Sequence, residues 1–150
     1  MSGFSVGIVK CENYAHLEQA FEELKEKAGL KEFEKKVSGK KVLVKPNFLG
    51  PFRPELAVTT NPELVRIIVR WLRKANAEVI VGDNAGIGGY GYNERAAKKS
   101  GILEASEGAY QNIAKEVVEK EVDSKFFKKL IVSKPVLEVD YIVNLPKLKT

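Results

Sequence analysis

A short apolar run, a capped amphipathic helix and a second apolar run follow one another between residues 42 and 81, and this succession constrains the fold most. Val42-Leu43-Val44 is stopped by Pro46, and Val79-Ile80-Val81 ends at Gly82. Short runs that are apolar throughout, rather than alternating with polar residues, suit strands covered on both faces. Two of them separated by a helix pair in parallel through a crossover. The helix start is written in Thr59-Thr60-Asn61-Pro62-Glu63: either Thr60 caps with Glu63 as its capping-box partner, or Asn61 caps with Pro62 in the first helical position. Leu64, Ile68, Trp71, Leu72 and Ala75 form the core stripe of this helix, and Asn76 supplies a left-handed exit.

The same alternation extends to both sides. Ser5 to Lys10 reads as a first strand, followed by a helix whose Leu17, Phe21, Leu24 and Ala28 share a face and whose end suits Gly29. Lys31 to Lys36 adds a helical turn. Beyond residue 82, Asn93 is expected to cap a short helix that Gly101 ends, and Val117-Val118 fits either a helix or a strand. Leu130-Ile131-Val132 and Tyr141-Ile142-Val143 read as strands, with Asp123 to Lys129 connecting. Neither a repeat nor a linker divides the chain. The expectation is one α/β domain over residues 1–150: three layers, a mostly parallel open sheet and helices on both faces. A chain of 150 residues buries roughly 70% of its unfolded surface without needing disulfides or metals.

Charge narrows the function classes. The net charge of +5 lies wholly in residues 1–75, with fourteen Lys/Arg against nine Asp/Glu, whereas residues 76–150 hold eleven of each. Twenty cations are Lys and seventeen anions are Glu, a bias found in proteins of hot environments, which weakens any inference from basicity to nucleic acid. No run of about 18 apolar residues is present to span a bilayer. Met1 to Ser5 lacks a signal-peptide pattern, and the lone Cys11, read as a small buried apolar residue, has no partner for an internal disulfide, so a cytoplasmic location is expected.

The candidate chemistry follows three strands: Lys45-Pro46-Asn47, Gly82-Asp83-Asn84 and Asn144-Leu145-Pro146-Lys147. In an open parallel sheet all carboxyl ends share one edge, where ligands bind near helix N-termini. Lys45, Lys147 and Lys149 would make that edge positive, the Thr60/Asn61 helix start would add N–H donors, and Asp83 would supply a carboxylate. The plainer reading is that Lys45 and Asp83 simply pair. Gly86-Ile87-Gly88-Gly89-Tyr90-Gly91 matches G-x-G-x-x-G, but Asp83-Asn84-Ala85 intervenes after the strand and no acidic strand end follows. A glycine-rich lid through Gly86, Gly88 and Gly89, with Tyr90 and Tyr92 stacking on a flat ligand, is favoured over dinucleotide binding. A P-loop and a G-x-S-x-G elbow are missing, and the single histidine, His16, reads as a surface or capping residue. Arg66, Arg70 and Arg73 share a helix face, read as solvated rather than RNA-binding.

Val42-Leu43-Val44-Lys45-Pro46-Asn47, then Thr59-Thr60-Asn61-Pro62-Glu63-Leu64-Val65, then Glu78 to Asn84 and Asp140 to Thr150, together resemble the domain-of-unknown-function family 362. The resemblance covers most of the chain from residue 41. It implies Lys45, Asn47, Thr60, Asn61, Asp83, Asn84, Asn144, Lys147 and Lys149 as motif positions. Some members carry a separate ferredoxin-like cluster domain. With one cysteine, no iron–sulphur cluster ligated by this chain is expected, and the cofactor is left open. In the family the Pro-Lys-Leu-Lys-Thr segment continues into a histidine and a long further stretch, so the chain is expected to be the N-terminal part of a longer domain. Its site would then be completed by further sequence, a second copy or a ferredoxin-like partner. The expected function is binding of a small anionic ligand or metal-bound cofactor at the carboxyl edge, through Lys45, Asn47, Thr60, Asn61, Asp83, Asn84, Gly86, Gly88, Gly89, Asn144, Lys147 and Lys149. No membrane partner is expected and nucleic acid is disfavoured. The competing class is a non-catalytic docking module for an acidic protein or RNA.

Overall fold

The computed structural model describes residues 6–86, 88 and 90–148, the side chain of Tyr90 excepted. Ser5, Gly89 and Lys149 lie outside the described residues, as does the Tyr90 side chain proposed to stack. The frame is a three-stranded parallel sheet in the order β2-β1-β5, formed by β1 (Lys41–Pro46), β2 (Glu78–Val81) and β5 (Tyr141–Leu145). Outside β2, the main chain at 109–111 continues the pairing: Val81 N–H donates to Ala109 O at 2.8 Å and Gln111 N–H to Val81 O at 2.9 Å. A separate antiparallel pair, β3 (Val117–Glu121) and β4 (Lys129–Ser133), carries exposed Phe126, Phe127 and Ile131.

Helices cover the two sheet faces unequally. Val42, Val44 and Val81 point into a large core built with α1 (Leu17–Lys27), α2 (Lys31–Val37), α3 (Pro62–Lys74), α4 (Tyr90–Lys99) and α5 (Ile102–Ala105). Leu43 and Ile80, one residue out of phase, point the other way. There, among the described residues, they cluster with Ile113, Val139 and Val136, the last from α6 (Lys134–Leu137). The α/β class and parallel pairing stand as read from the sequence, and the uneven cover is what the strands alone did not reveal.

α3 is the organising helix. The Asn61 side chain accepts from Glu63 N–H at 2.8 Å with Pro62 in the first turn, so Asn61, not Thr60, is the cap. Asn76 takes the left-handed exit at φ +63°. Trp71 packs edge-on against Phe21 and stacked against Phe33, with centroids 5.3 and 5.9 Å apart. Its indole N–H reaches Glu34, which satisfies the one polar atom such burial strands.

Three local expectations are corrected. Residues 6–10 form no strand: the segment lies against α1, with Gly7 close to Leu24 and Ala28 and with Val6 and Ile8 exposed. An apolar pattern makes a strand only where a sheet edge is within reach to supply hydrogen bonds. Cys11 is exposed rather than buried, because it belongs to that surface segment. Asn93 does not start a helix; α4 already begins at Tyr90 and Asn93 lies buried within it. Residues 117–121, which fitted either state, are strand, while 130–132 pair antiparallel with them instead of joining the main sheet.

The arginine stripe of α3 is neutralised by carboxylates rather than merely solvated. Arg66 meets Glu63 and Glu104 at 3.4 and 3.8 Å, and Arg70 and Arg73 meet Glu107 at 2.6 and 3.6 Å. The hydrogen bond from Arg70 holds the Glu107 carboxyl below its usual value of 4.5. At Glu94, burial pushes upward but is outweighed by hydrogen bonds from Lys115 and Asn112, leaving it lowered as well. Carboxyls depressed on folding contribute stability that is fully present above their unfolded value and is lost as pH falls through the folded one. Urea midpoints should therefore be level above pH 4.5 and fall below it. A Glu94→Gln/Glu107→Gln variant should be weaker at neutral pH and show a shallower acid decline. An unchanged acid decline would show that other carboxyls govern it.

Candidate functional site

Because β1, β2 and β5 run parallel, the three polar strand ends lie on one edge of the sheet. Lys45 ends the central strand beside Asn144 in register, and Gly82 N–H donates to Val44 O at 3.1 Å, which carries Asp83 past the end of β2. The Lys45 ammonium meets Asp83 Oδ1 at 2.7 Å, with the carboxylate side chain 6% exposed and the lysine side chain 42% exposed. The second carboxylate oxygen accepts from Phe48 N–H at 2.8 Å. Asp83 is thus held from two sides, while Lys45 keeps one side toward solvent. The plain pairing of Lys45 with Asp83 is what forms.

Thr60 closes the gap between β1 and β5. Its hydroxyl accepts from Asn47 N–H at 2.8 Å and donates to Leu145 O at 2.7 Å, while its own N–H donates to Asn47 O at 3.2 Å. The sequence placed Thr60 at the rim as a helix-start donor; in the fold it ties two strand ends together. Asn61 is engaged as the α3 cap, and the Asn84 side chain accepts from Gly86 N–H at 3.2 Å in a local turn. Gly86 takes φ +86°, which glycine adopts without strain. Asn144 is exposed and Lys147 half-buried. The groups of the rim that retain an open side are Lys45, Asn144 and Lys147. Two larger cavities, of 560 and 590 Å³, lie away from these side chains.

Gly88 makes room for a side chain of the protein itself. A Cβ there would overlap the Tyr92 ring, and one at Gly50 would collide with the Tyr92 hydroxyl. These two glycines admit a tyrosine that belongs to α4, so Tyr92 packs within the protein. Sequence reasoning also missed the buried amide pair behind the rim. Asn93 Oδ1 accepts from Ala85 N–H at 2.8 Å, and its amide donates to Asn112 Oδ1 at 3.1 Å. Asn112 in turn accepts from Ala114 N–H and donates to Glu94, each at 3.2 Å, and Lys115 pairs with Glu94 at 3.1 Å. This network holds the 83–86 segment against α4. The only sequence signal was an asparagine near a helix start, which resembles a cap. Burial and the adjacent Glu94 also raise the Tyr110 phenol above its ordinary range. Among the described residues no group of three or more His, Cys, Asp and Glu is arranged to hold a metal ion, and no helix is long and apolar enough to cross a membrane.

Fold and rim together define an α/β domain with a charged pair, half of it buried, at the carboxyl edge of a parallel sheet. The chain belongs to the domain of unknown function DUF362, whose model matches residues 42–150. It is 31% identical over 117 residues to the thylakoid-associated protein sll1697 of Synechocystis sp., a match that takes in 75% of this chain and 34% of that protein. The chain therefore spans about a third of the length of the curated relative it matches. No solved structure matches it.

Proposed function

We propose that this domain binds a small anionic molecule, or an anionic group of a metal-bound cofactor, at the carboxyl edge of the sheet, with Lys45 as the principal contact. The observation that carries this reading is the asymmetry of the Lys45–Asp83 pair: a buried carboxylate, fixed by Phe48 N–H, orients a lysine whose side chain remains 42% exposed at the end of the central strand. Such a lysine is pre-oriented, so less side-chain freedom is lost when an anion arrives. Asn144, its neighbour in register, and Lys147 would add a hydrogen-bonding amide and further charge. Asp83 acts here as the counter-ion that positions Lys45. Both its oxygens are occupied, which argues against a proton-transfer role.

The greater length of the curated relative supports a site completed by further sequence, by a second copy of the chain or by a ferredoxin-like partner, with residues 1–150 contributing one wall. A cytoplasmic location belongs to the same reading, supported by a single free cysteine. Docking through the α3 arginines is the weaker alternative, because Glu63, Glu104 and Glu107 already neutralise them.

Thermal-shift measurements with nucleotides, phosphorylated metabolites and divalent cations test the reading. A ligand that raises the melting temperature of the wild type should lose that effect in Lys45→Ala, and largely in Asp83→Asn, while Arg66→Gln and Arg70→Gln keep it. Stabilisation that survives Lys45→Ala would remove the rim from consideration.

A further inference from the structure

Beyond the rim, we infer that a cleft between the loop after β1 and the exposed face of α4 is a binding site for the phosphoryl groups of a small polyphosphorylated molecule. Pro51, Arg53, Arg95, Lys98 and Lys99 line an open surface depression of about 590 Å³. The three α4 residues recur at i, i+3 and i+4, which puts their side chains on one helix face. Arg53, far away in sequence, is brought to the same depression by the fold.

Charge balance distinguishes this cleft from an ordinary lysine-rich surface. Of the five arginines in the chain, Arg66, Arg70 and Arg73 are each within 4.0 Å of a carboxylate. Arg53 and Arg95 have no carboxylate partner among the described residues, and both line this cavity. Lys98 and Lys99 are likewise without one. Four cations held around one concavity repel each other, and a multivalent anion relieves that repulsion. Arginine suits phosphate in particular, since its planar fork donates two parallel hydrogen bonds.

Arg95 is also pre-positioned. Its guanidinium lies 5.7 Å from the centroid of the Tyr92 ring, a cation–π distance. Tyr92 is seated where only glycines at 50 and 88 leave room. The glycine-rich stretch after β2 thus helps set an arginine at the cleft wall. No residue is shared with the rim, so the two sites are separable by mutation.

Pyrophosphate, titrated calorimetrically at low salt into the intact chain, is the probe. Wild type should bind it. Arg53→Gln/Arg95→Gln and, separately, Lys98→Gln/Lys99→Gln should each weaken binding about tenfold or more, as expected on losing charge-assisted hydrogen bonds. Lys36→Gln/Lys120→Gln, which removes two exposed cations elsewhere, should leave it unchanged. The lysine pair variant keeps the Arg95–Tyr92 contact, so a loss there cannot come from a disturbed α4, and circular dichroism checks both. No binding by wild type, or equal weakening by the control pair, overturns the proposal. So does tighter binding of a short single-stranded RNA sensitive to the same substitutions, which would make the cleft a nucleic-acid face. Lys45→Gln separates the two sites. If it alone abolishes pyrophosphate binding, the cleft fails and the rim reading stands. If only the cleft variants abolish it, the cleft stands without the rim.

Discussion

Truncating Leu72 to alanine is expected to lower the unfolding free energy by about 2–5 kcal/mol, toward the upper end of that range. Leu72 is fully buried in the core that joins α3 to the sheet, among Phe21, Val37, Val42, Val44 and Trp71. That core is walled by the sheet on one side and by five helices on the other, so it cannot collapse around the lost methyl groups, and the cavity adds to the transfer term. Against a typical total of about 5–15 kcal/mol, the variant should be close to unfolding at moderate temperature. Leu43→Ala provides the contrast. Leu43 is equally buried, but among the described residues its apolar cluster is small, Ile113, Val136 and Val139 beside Ile80. A cover that thin can settle inward, so the cost should be lower. Urea midpoints for both variants decide the matter. If Leu43→Ala proves the more damaging, the second face is packed as rigidly as the first.

Thr60→Val is expected to cost about 1 kcal/mol or somewhat more, toward the low end of the penalty for stranding backbone groups without partners, because Asn47 N–H and Leu145 C=O are partly buried. Valine fills nearly the same space, so packing is conserved and only the hydroxyl is lost. Asn47 N–H and Leu145 C=O, now bridged by that hydroxyl, would both lose it. Thr60→Ser, which keeps the oxygen, should cost distinctly less. Amide hydrogen exchange provides a local readout, with Asn47 N–H exchanging faster in Thr60→Val than in Thr60→Ser. Equal exchange in the two would mean that the β1 and β5 ends are held together by the strand ladder alone. The effect should reach the rim, because Asn47 and Leu145 lie at the same strand ends as Lys45 and Asn144.

The candidate site was legible where its residues follow strands directly. Lys45, Asp83, Asn47 and Thr60 were each recognisable as polar groups beside an apolar run or helix start, and the fold brings them into contact in two linked sets. Their roles were less legible. Thr60 reads as a capping residue in sequence, and its bond to Leu145 spans 85 positions. Gly88 reads as part of a glycine-rich lid, and in the fold it leaves space for Tyr92. Asn93 and Asn112 carry no sequence signal of being a pair.

By itself the sequence determined β1, α3 and β2, the Asn61–Pro62 start and the Asn76 exit, and with them an α/β fold with parallel pairing. The helix start and exit depend on interactions among residues a few positions apart, and the strands were legible because two short apolar runs joined by a helix have few ways to pair other than in parallel. Only the tertiary structure decided that residues 6–10 lie over α1 instead of joining the sheet, that β4 pairs with β3, and that β5 takes the place beside β1. It also decided that Arg53 and Arg95 line the same surface depression. An apolar run can pair with any available edge, and a charged side chain can meet any other that the fold delivers. Which partner it gets depends on how the whole chain closes around its core.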